Sequence, residues 1–254
     1  MSQIILCVPG PWETSGDLLQ ALARGGPEYI FAGRVFMEMK TQATCELQLA
    51  EPDGRMREAF EIAGQGRIPA ATLDAVADHR SIVYLLFDEP GYETARTAAR
   101  FARALLEAGG IAVKVESAGV AHSRERWMEA WASEDPFDIY SLYVALVGGE
   151  GRYFSCGMHN FALPDAAVPA SIEIAEAARL LNVFNLFQLV DSPVLNDGET
   201  FSADADAPRF RLKREPYEEG YDPGEPLHNP RGLWSLQPAD APPAKKRWRW
   251  GFGG

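Results

Sequence analysis

The sequence is poor in cysteine, histidine and basic residues. Its 254 residues include three cysteines, four histidines and 24 lysines and arginines against 36 aspartates and glutamates. Cys7 and Cys45 lie in apolar runs, which is typical of buried thiols in a reducing compartment rather than of a disulfide framework. The shortage of basic side chains argues against a nucleic-acid-binding protein, because phosphates are bound by clustered lysines and arginines.

Long hydrophobic runs are also missing. The longest, from Leu180 to Val190, is interrupted by three amide side chains, whereas a membrane span needs about 18 apolar residues. Residues 1–8 lack the basic segment that opens a signal peptide. We therefore expect a bacterial cytoplasmic protein that has no membrane partner.

The negative charge is concentrated in one part of the chain. Residues 239–254 sum to +3, so the other 238 residues carry −15 of the net charge of −12. A strongly acidic body favours solubility and attracts basic partners. The charge therefore predicts an acidic protein that binds another protein.

Strands and helices alternate along the first half of the chain. The clearest unit is a strand over Ser81 to Phe87, a helix over Glu93 to Glu107 with apolar residues every three or four positions, and a strand over Ile111 to Val115. Such a β-α-β unit favours parallel pairing of its two strands. With the hairpins that follow, it predicts an α+β fold. We expect a mixed, largely antiparallel sheet with helices mainly on one face and ferredoxin-like β-α-β elements, in a single or a duplicated copy.

Further elements follow from composition. Tyr29 to Met39 is predicted as one strand, and Ile139 to Val147 as another that turns through glycines into a hairpin partner at Arg152 to Cys156. Ser171 to Leu189 is predicted as a long helix, although the part from Val183 to Val190 also fits a strand.

The chain divides by composition into three parts. Residues 1–215 are predicted to form the α+β body, with a subdivision near 118–138. Residues 216–238 are rich in proline and glycine and are predicted as an irregular extension. Residues 239–254 form a basic aromatic tail, whose order the sequence leaves open.

The densest group of reactive side chains lies between Cys156 and Asp165, and it also contains His159 and Asn160. Zinc would need two ligands besides Cys156 and His159, and no second pair lies near them, so we expect no metal and no cofactor. Three alternatives remain.

The first alternative is catalysis, with a thiol nucleophile at Cys156 and Asp165 orienting the base His159, or with His159 as a general base alone. The second is ligand binding by His159 and Asn160. The third is a structural corner that bends at Gly157 and leads into a helix beginning near Ala170.

The same segment resembles a known family. The run from Gly157 to Asp165, Gly-Met-His-Asn-Phe-Ala-Leu-Pro-Asp, is similar to the hallmark of a bacterial family catalogued as domain of unknown function 4261. Pro9 to Trp12 and Asp197 to Thr200 are similar as well, so the resemblance covers residues 1 to about 214. Ala162 departs from the pattern, in which glycine is expected. The resemblance implies a bacterial cytoplasmic protein, sometimes encoded near secretion or toxin–immunity loci, and it supplies no catalytic residue.

The tail alternates Arg247 and Arg249 with Trp248 and Trp250. Such a segment binds an acidic groove on a partner, folds back on its own acidic body, or binds lipid or nucleic acid. We take Trp248 and Trp250, with His159 and Asn160, as candidate binding residues.

Together these features predict an acidic cytoplasmic binding protein, in the form of an immunity or adaptor protein for a basic partner related to a toxin or to secretion. The alternative is an enzyme that acts on a small molecule or peptide with His159 and either Cys156 or Asp165. A third interpretation is one protomer of an assembly.

Overall fold

The protein folds into two β-sheets with helices packed against them. The computed structural model describes residues 3–24, 28–217 and 221–239. Within them the strands are β1 Ile4–Gly10, β2 Tyr29–Ala32, β3 Val35–Glu38, β4 Thr44–Ala50, β5 Ser81–Phe87, β6 Ala112–Val115, β7 Val120–Ser123, β8 Ala145–Gly149, β9 Arg152–Cys156, β10 Asp165–Pro169, β11 Thr200–Phe201, β12 Phe210–Glu215 and β13 Leu233–Pro238. The helices are α1 Ser15–Arg24, α2 Met56–Gly64, α3 Ala70–Ala77, α4 Tyr92–Glu107, α5 Arg124–Ala132, α6 Pro136–Tyr143 and α7 Ile174–Val190. The predicted α+β class is confirmed.

The first sheet has seven antiparallel strands in the order β2-β3-β4-β5-β1-β6-β7. Both β5 and β6 pair antiparallel with β1, which lies between them. The two strands of the predicted β-α-β unit, β5 and β6, are therefore parallel in direction. The prediction that they pair directly was wrong, because β1 lies between them. The order β4-β5-β1-β6 with α1 and α4 as the two connecting helices is the ferredoxin-like arrangement.

Side chains alternate between the two faces of this sheet, and each face has its own helices. Leu6 and Val8 of β1 point into a core formed with α1, α4, α5 and α6, whereas Cys7 points to the opposite face and packs with α2 and α3. The buried face of helix α4 is rich in alanine. The ring of Phe101 from α4 contacts the ring of Phe36, at 5.1 Å between centroids, and that of Phe87, at 5.6 Å.

The second sheet has six strands in the order β11-β12-β13-β10-β9-β8. Its neighbours are antiparallel except for the central pair β10 and β13, which is parallel. Helix α7 covers one face through apolar side chains such as Leu181 and Phe184. The predicted long helix is thus confirmed, and its part from Val183 to Val190 is helical as well.

Two predicted strands are shorter or different in kind. The segment Tyr29 to Met39 is a hairpin of β2 and β3, which turns at Gly33 with a φ of 66°. The segment Ile139 to Val147 divides into the end of α6 and the start of β8. Asp135 begins α6 by accepting a 2.9 Å hydrogen bond from the Phe137 N–H, and Pro136 follows as its first residue.

The prediction of an irregular extension over 216–238 was wrong for its last part. Leu233–Pro238 is β13, which pairs with β12 on one side and β10 on the other. The strand begins with the run Leu-Trp-Ser-Leu, whose four side chains are buried. The run is short and follows turn-forming residues, so the sequence did not indicate a strand there. The tail from residue 240 onward lies outside the described residues.

Candidate functional site

The segment with the reactive side chains forms a tight corner between β9 and β10. Gly157 has a φ of 124°, and a Cβ atom there would collide with the carbonyl oxygen of Tyr143. One 3-10 turn over Met158–Phe161 follows, and Ala162 ends it with a φ of 61°, a left-handed conformation that favours glycine. The corner was predicted to lead into a helix near Ala170, but it leads into β10, whose strand conformation begins at Asp165.

Asn160 holds segments that are distant in sequence. Its amide nitrogen donates to the carbonyl oxygens of Gly157, at 2.9 Å, and Tyr143, at 3.4 Å. Its side-chain oxygen accepts a 2.6 Å hydrogen bond from the hydroxyl of Ser117, which in turn accepts from the Ile5 N–H. Asn160 thereby connects the corner to both α6 and the first sheet.

Asp165 is a fully buried carboxylate that accepts hydrogen bonds on both oxygens. Asn229 Nδ2 donates to Oδ2 at 2.6 Å, while the Met158 N–H and the Ser155 hydroxyl donate to Oδ1 at 3.1 and 3.2 Å. Burial raises the pKa of Asp165 to about 7, and these donors pull it in the opposite direction because they stabilise the charged form.

Cys156 and His159 are buried and have different partners. The Tyr217 hydroxyl donates to Cys156 Sγ at 3.8 Å, and the thiol lies 3.9 Å from the carbonyl oxygen of Leu227. His159 Nε2 donates to the carbonyl oxygen of Pro226 at 3.1 Å. Burial raises the pKa of the Cys156 thiol to about 12 and lowers that of His159 to about 4, so the thiol is protonated and the imidazole neutral at pH 7.

Partners of all three reactive side chains lie between β12 and β13. Residues 221–232, which we call the covering segment, supply Pro226, Leu227 and Asn229, and Tyr217 precedes them. A small cavity of about 180 Å³ beside this segment is lined by Gln3, Glu225, Pro226 and His228, not by His159. The covering segment therefore separates the corner from solvent.

The structure brings the predicted catalytic side chains into one region but does not connect them. Among the described residues no hydrogen bond joins Cys156, His159 and Asp165 to one another. The same described residues contain no cluster of three histidine, cysteine or acidic side chains that could hold a metal ion. The contacts of Asn160 and Asp165 are those of a structural corner.

A second candidate site is a surface groove between α7 and the edge of the second sheet. It has a volume of about 1040 Å³ and is lined by apolar residues from α7, the following loop, β11 and β12, among them Phe187, Val190 and Phe201. Val190 and Val194 are 58% and 88% exposed. Asp191 and Glu199 are its two charged side chains, and no basic residue is found among the described residues that line it.

Sequence reasoning missed both the covering segment and the groove. Asn229 and Tyr217 lie more than 60 residues from their partners in the corner, and nothing local in the sequence links them. The sequence carries a weak signal of the groove, since Val194 continues the apolar pattern of α7 beyond its last residue, Val190. The candidate binding residues Trp248 and Trp250 lie outside the described residues, whereas His159 and Asn160 are buried.

Comparison of the chain with family models, curated proteins and solved structures found no match. Within the part of the chain that the structure describes, no helix is long and apolar enough to cross a membrane.

Proposed function

We propose that this protein is an acidic, cytoplasmic binding protein, and that the groove beside α7 takes a basic segment with aromatic or aliphatic side chains from a protein partner. The observation that carries the proposal is the lining of the groove. Ten of its fifteen lining residues are apolar, Asp191 and Glu199 supply negative charge, and no basic residue is among these described residues. Such a surface attracts cations at its rim and desolvates apolar side chains at its base.

The geometry of the corner favours binding over the alternative enzyme. A thiol with a pKa of about 12 is a poor nucleophile, because only the thiolate reacts. His159 already donates to Pro226 and is covered by it. The biological form that we propose is an immunity or adaptor protein for a basic toxin or secretion component, as the family resemblance suggested.

A labelled peptide that alternates arginine and tryptophan tests this function. We expect the full chain to bind it, with an affinity that falls as salt rises, and to bind a peptide with glutamate in place of arginine at least tenfold more weakly. The measurement is fluorescence anisotropy.

Matched variants locate the binding surface. Val190→Arg introduces a positive charge at the groove, whereas Ile62→Arg makes the same change of net charge on α2, where Ile62 is 70% exposed. Only Val190→Arg is expected to weaken binding, by at least tenfold. Equal binding by both variants, or no binding by the wild type, contradicts the proposal.

A further inference from the structure

The chain carries a segment with the chemistry that the groove selects. Its last 15 residues contain Lys245, Lys246 and the run Arg247-Trp248-Arg249-Trp250. In an extended chain, residues two apart face the same side, so the two tryptophans share one face and the two arginines the other. An apolar groove with acids at its rim fits that alternation.

The described chain ends close to the groove. The Ala239 N–H donates to the carbonyl oxygen of Arg209 at 2.9 Å, just beyond the pairing of Pro238 with Phe210. Phe210 pairs in turn with Phe201, which lines the groove. Ala239 is therefore about two strand spacings, or roughly 10 Å, from the edge strand β11.

The tail is long enough to reach the whole groove. Trp248 is nine residues beyond Ala239, and an extended chain covers about 3.3 Å per residue, which gives a reach of roughly 30 Å. The loop between β11 and β12 adds the exposed acids Asp204 and Asp206 along the way. Arg209 lies at the point of exit and Arg179 pairs with Asp204 at 3.4 Å, so Asp206 and the groove's own Asp191 and Glu199 are the negative charges that we expect the tail to meet.

We infer that the groove binds the chain's own basic aromatic tail, residues 240–254, and that an external partner must displace it. This inference rests on the proposed function, because both use the same surface. A short tether gives an effective concentration of about 1 mM, so a contact too weak to hold a free peptide still holds the tail. Because the tail competes for the groove, only a basic partner that binds more tightly than the tail displaces it.

Fluorine NMR of the full chain labelled with 5-fluorotryptophan tests the contact. The chain has six tryptophans, and Trp248→Phe and Trp250→Phe assign the two signals of the tail. We expect both signals to be protected from a soluble paramagnetic agent in the wild type and in Ile62→Arg. In Val190→Arg, we expect them to be as accessible as in the urea-unfolded chain.

Two results overturn the inference. One is full accessibility of both tail signals in the wild type. The other is protection that disappears on dilution, since this places the tail of a second copy in the groove.

The peptide assay separates this inference from the proposed function. The chain with both Trp248→Ser and Trp250→Ser is expected to bind the arginine–tryptophan peptide about tenfold more tightly than the wild type, because the groove is vacated. Equal binding by the two chains refutes the tail contact and leaves the function intact. No binding by either chain refutes the function itself.

Discussion

Polar side chains that are fully buried determine the shape of the corner between β9 and β10. Asn160 and Asp165 each make three hydrogen bonds, and their partners lie in segments up to 64 residues away. A buried polar group costs free energy unless it is paired, so each of these contacts fixes the position of a backbone segment. Asn160 and Asp165, which the sequence offered as candidates for ligand binding and catalysis, therefore connect segments that are distant in sequence.

Gly157 is a position at which a single added methyl group is expected to destabilise the fold strongly. Gly157→Ala is expected to lower the free energy of unfolding by more than about 3 kcal/mol, because a Cβ atom collides with the Tyr143 carbonyl and the φ of 124° is strained for alanine. Urea denaturation measures the change.

Gly151→Ala is the control for this substitution. Gly151 also has a positive φ, of 76°, but nothing lies within 4 Å of the added methyl group. Its expected cost is about 1 kcal/mol. Similar losses in the two variants would show that backbone conformation, rather than the collision, limits position 157.

At the scale of elements, local residue patterns predicted some strands and helices correctly and missed others. Ser81 to Phe87 was predicted to the residue, because it is a continuous apolar run between turns. The helix at Pro136 was missed although Asp-Pro is a helix start, since the apolar residues that follow also fit a strand. β13 and the covering segment depend on contacts across the second sheet, which no local pattern encodes.

The covering segment is expected to open when its hydrogen bond to Asp165 is removed. Asn229→Ala takes away the 2.6 Å hydrogen bond to Oδ2 and leaves a buried carboxylate short of a donor, at a cost of about 1–3 kcal/mol. We expect Cys156 to react with a thiol reagent at least tenfold faster, as measured by peptide mapping of the labelled protein.

The other two cysteines report whether the opening is local. Cys7 and Cys45 are buried in the first sheet and are expected to keep their slow rates. Arg231→Ala, at an exposed neighbouring position, serves as the control variant. Equal acceleration of all three thiols would mean that the whole protein unfolds instead.

For the whole molecule, buried ionisable groups in both sheets determine how stability depends on pH. Burial lowers the pKa of His122 and of His159 from 6.5 to about 4, so the unfolded chain binds these protons first as the pH falls. Burial raises the pKa of Asp165 from 3.8 to about 7, so its protonation favours the folded state over nearly the same range. As the pH falls, the stability lost through the two histidines exceeds the stability gained through the one carboxyl group.

The protein is therefore expected to lose stability as the pH falls from 6.5 to 4. Each histidine contributes roughly 3 kcal/mol to that loss when its pKa falls from 6.5 to about 4. His122→Phe removes one contribution and should flatten the profile of unfolding free energy against pH. An unchanged slope would mean that the pKa of His122 is the same in the folded and the unfolded chain.

The position of β13 has a consequence for synthesis of the chain. The first sheet has all of its strands once Ser123 has been made, whereas the second lacks a central strand until residue 238. On the ribosome, the first sheet is therefore free to fold early, while β10 and β12 present unpaired edges to neighbouring chains. Slow translation of residues 216–238, or a chaperone that shields those edges, is therefore expected to change how much of the protein reaches the native state.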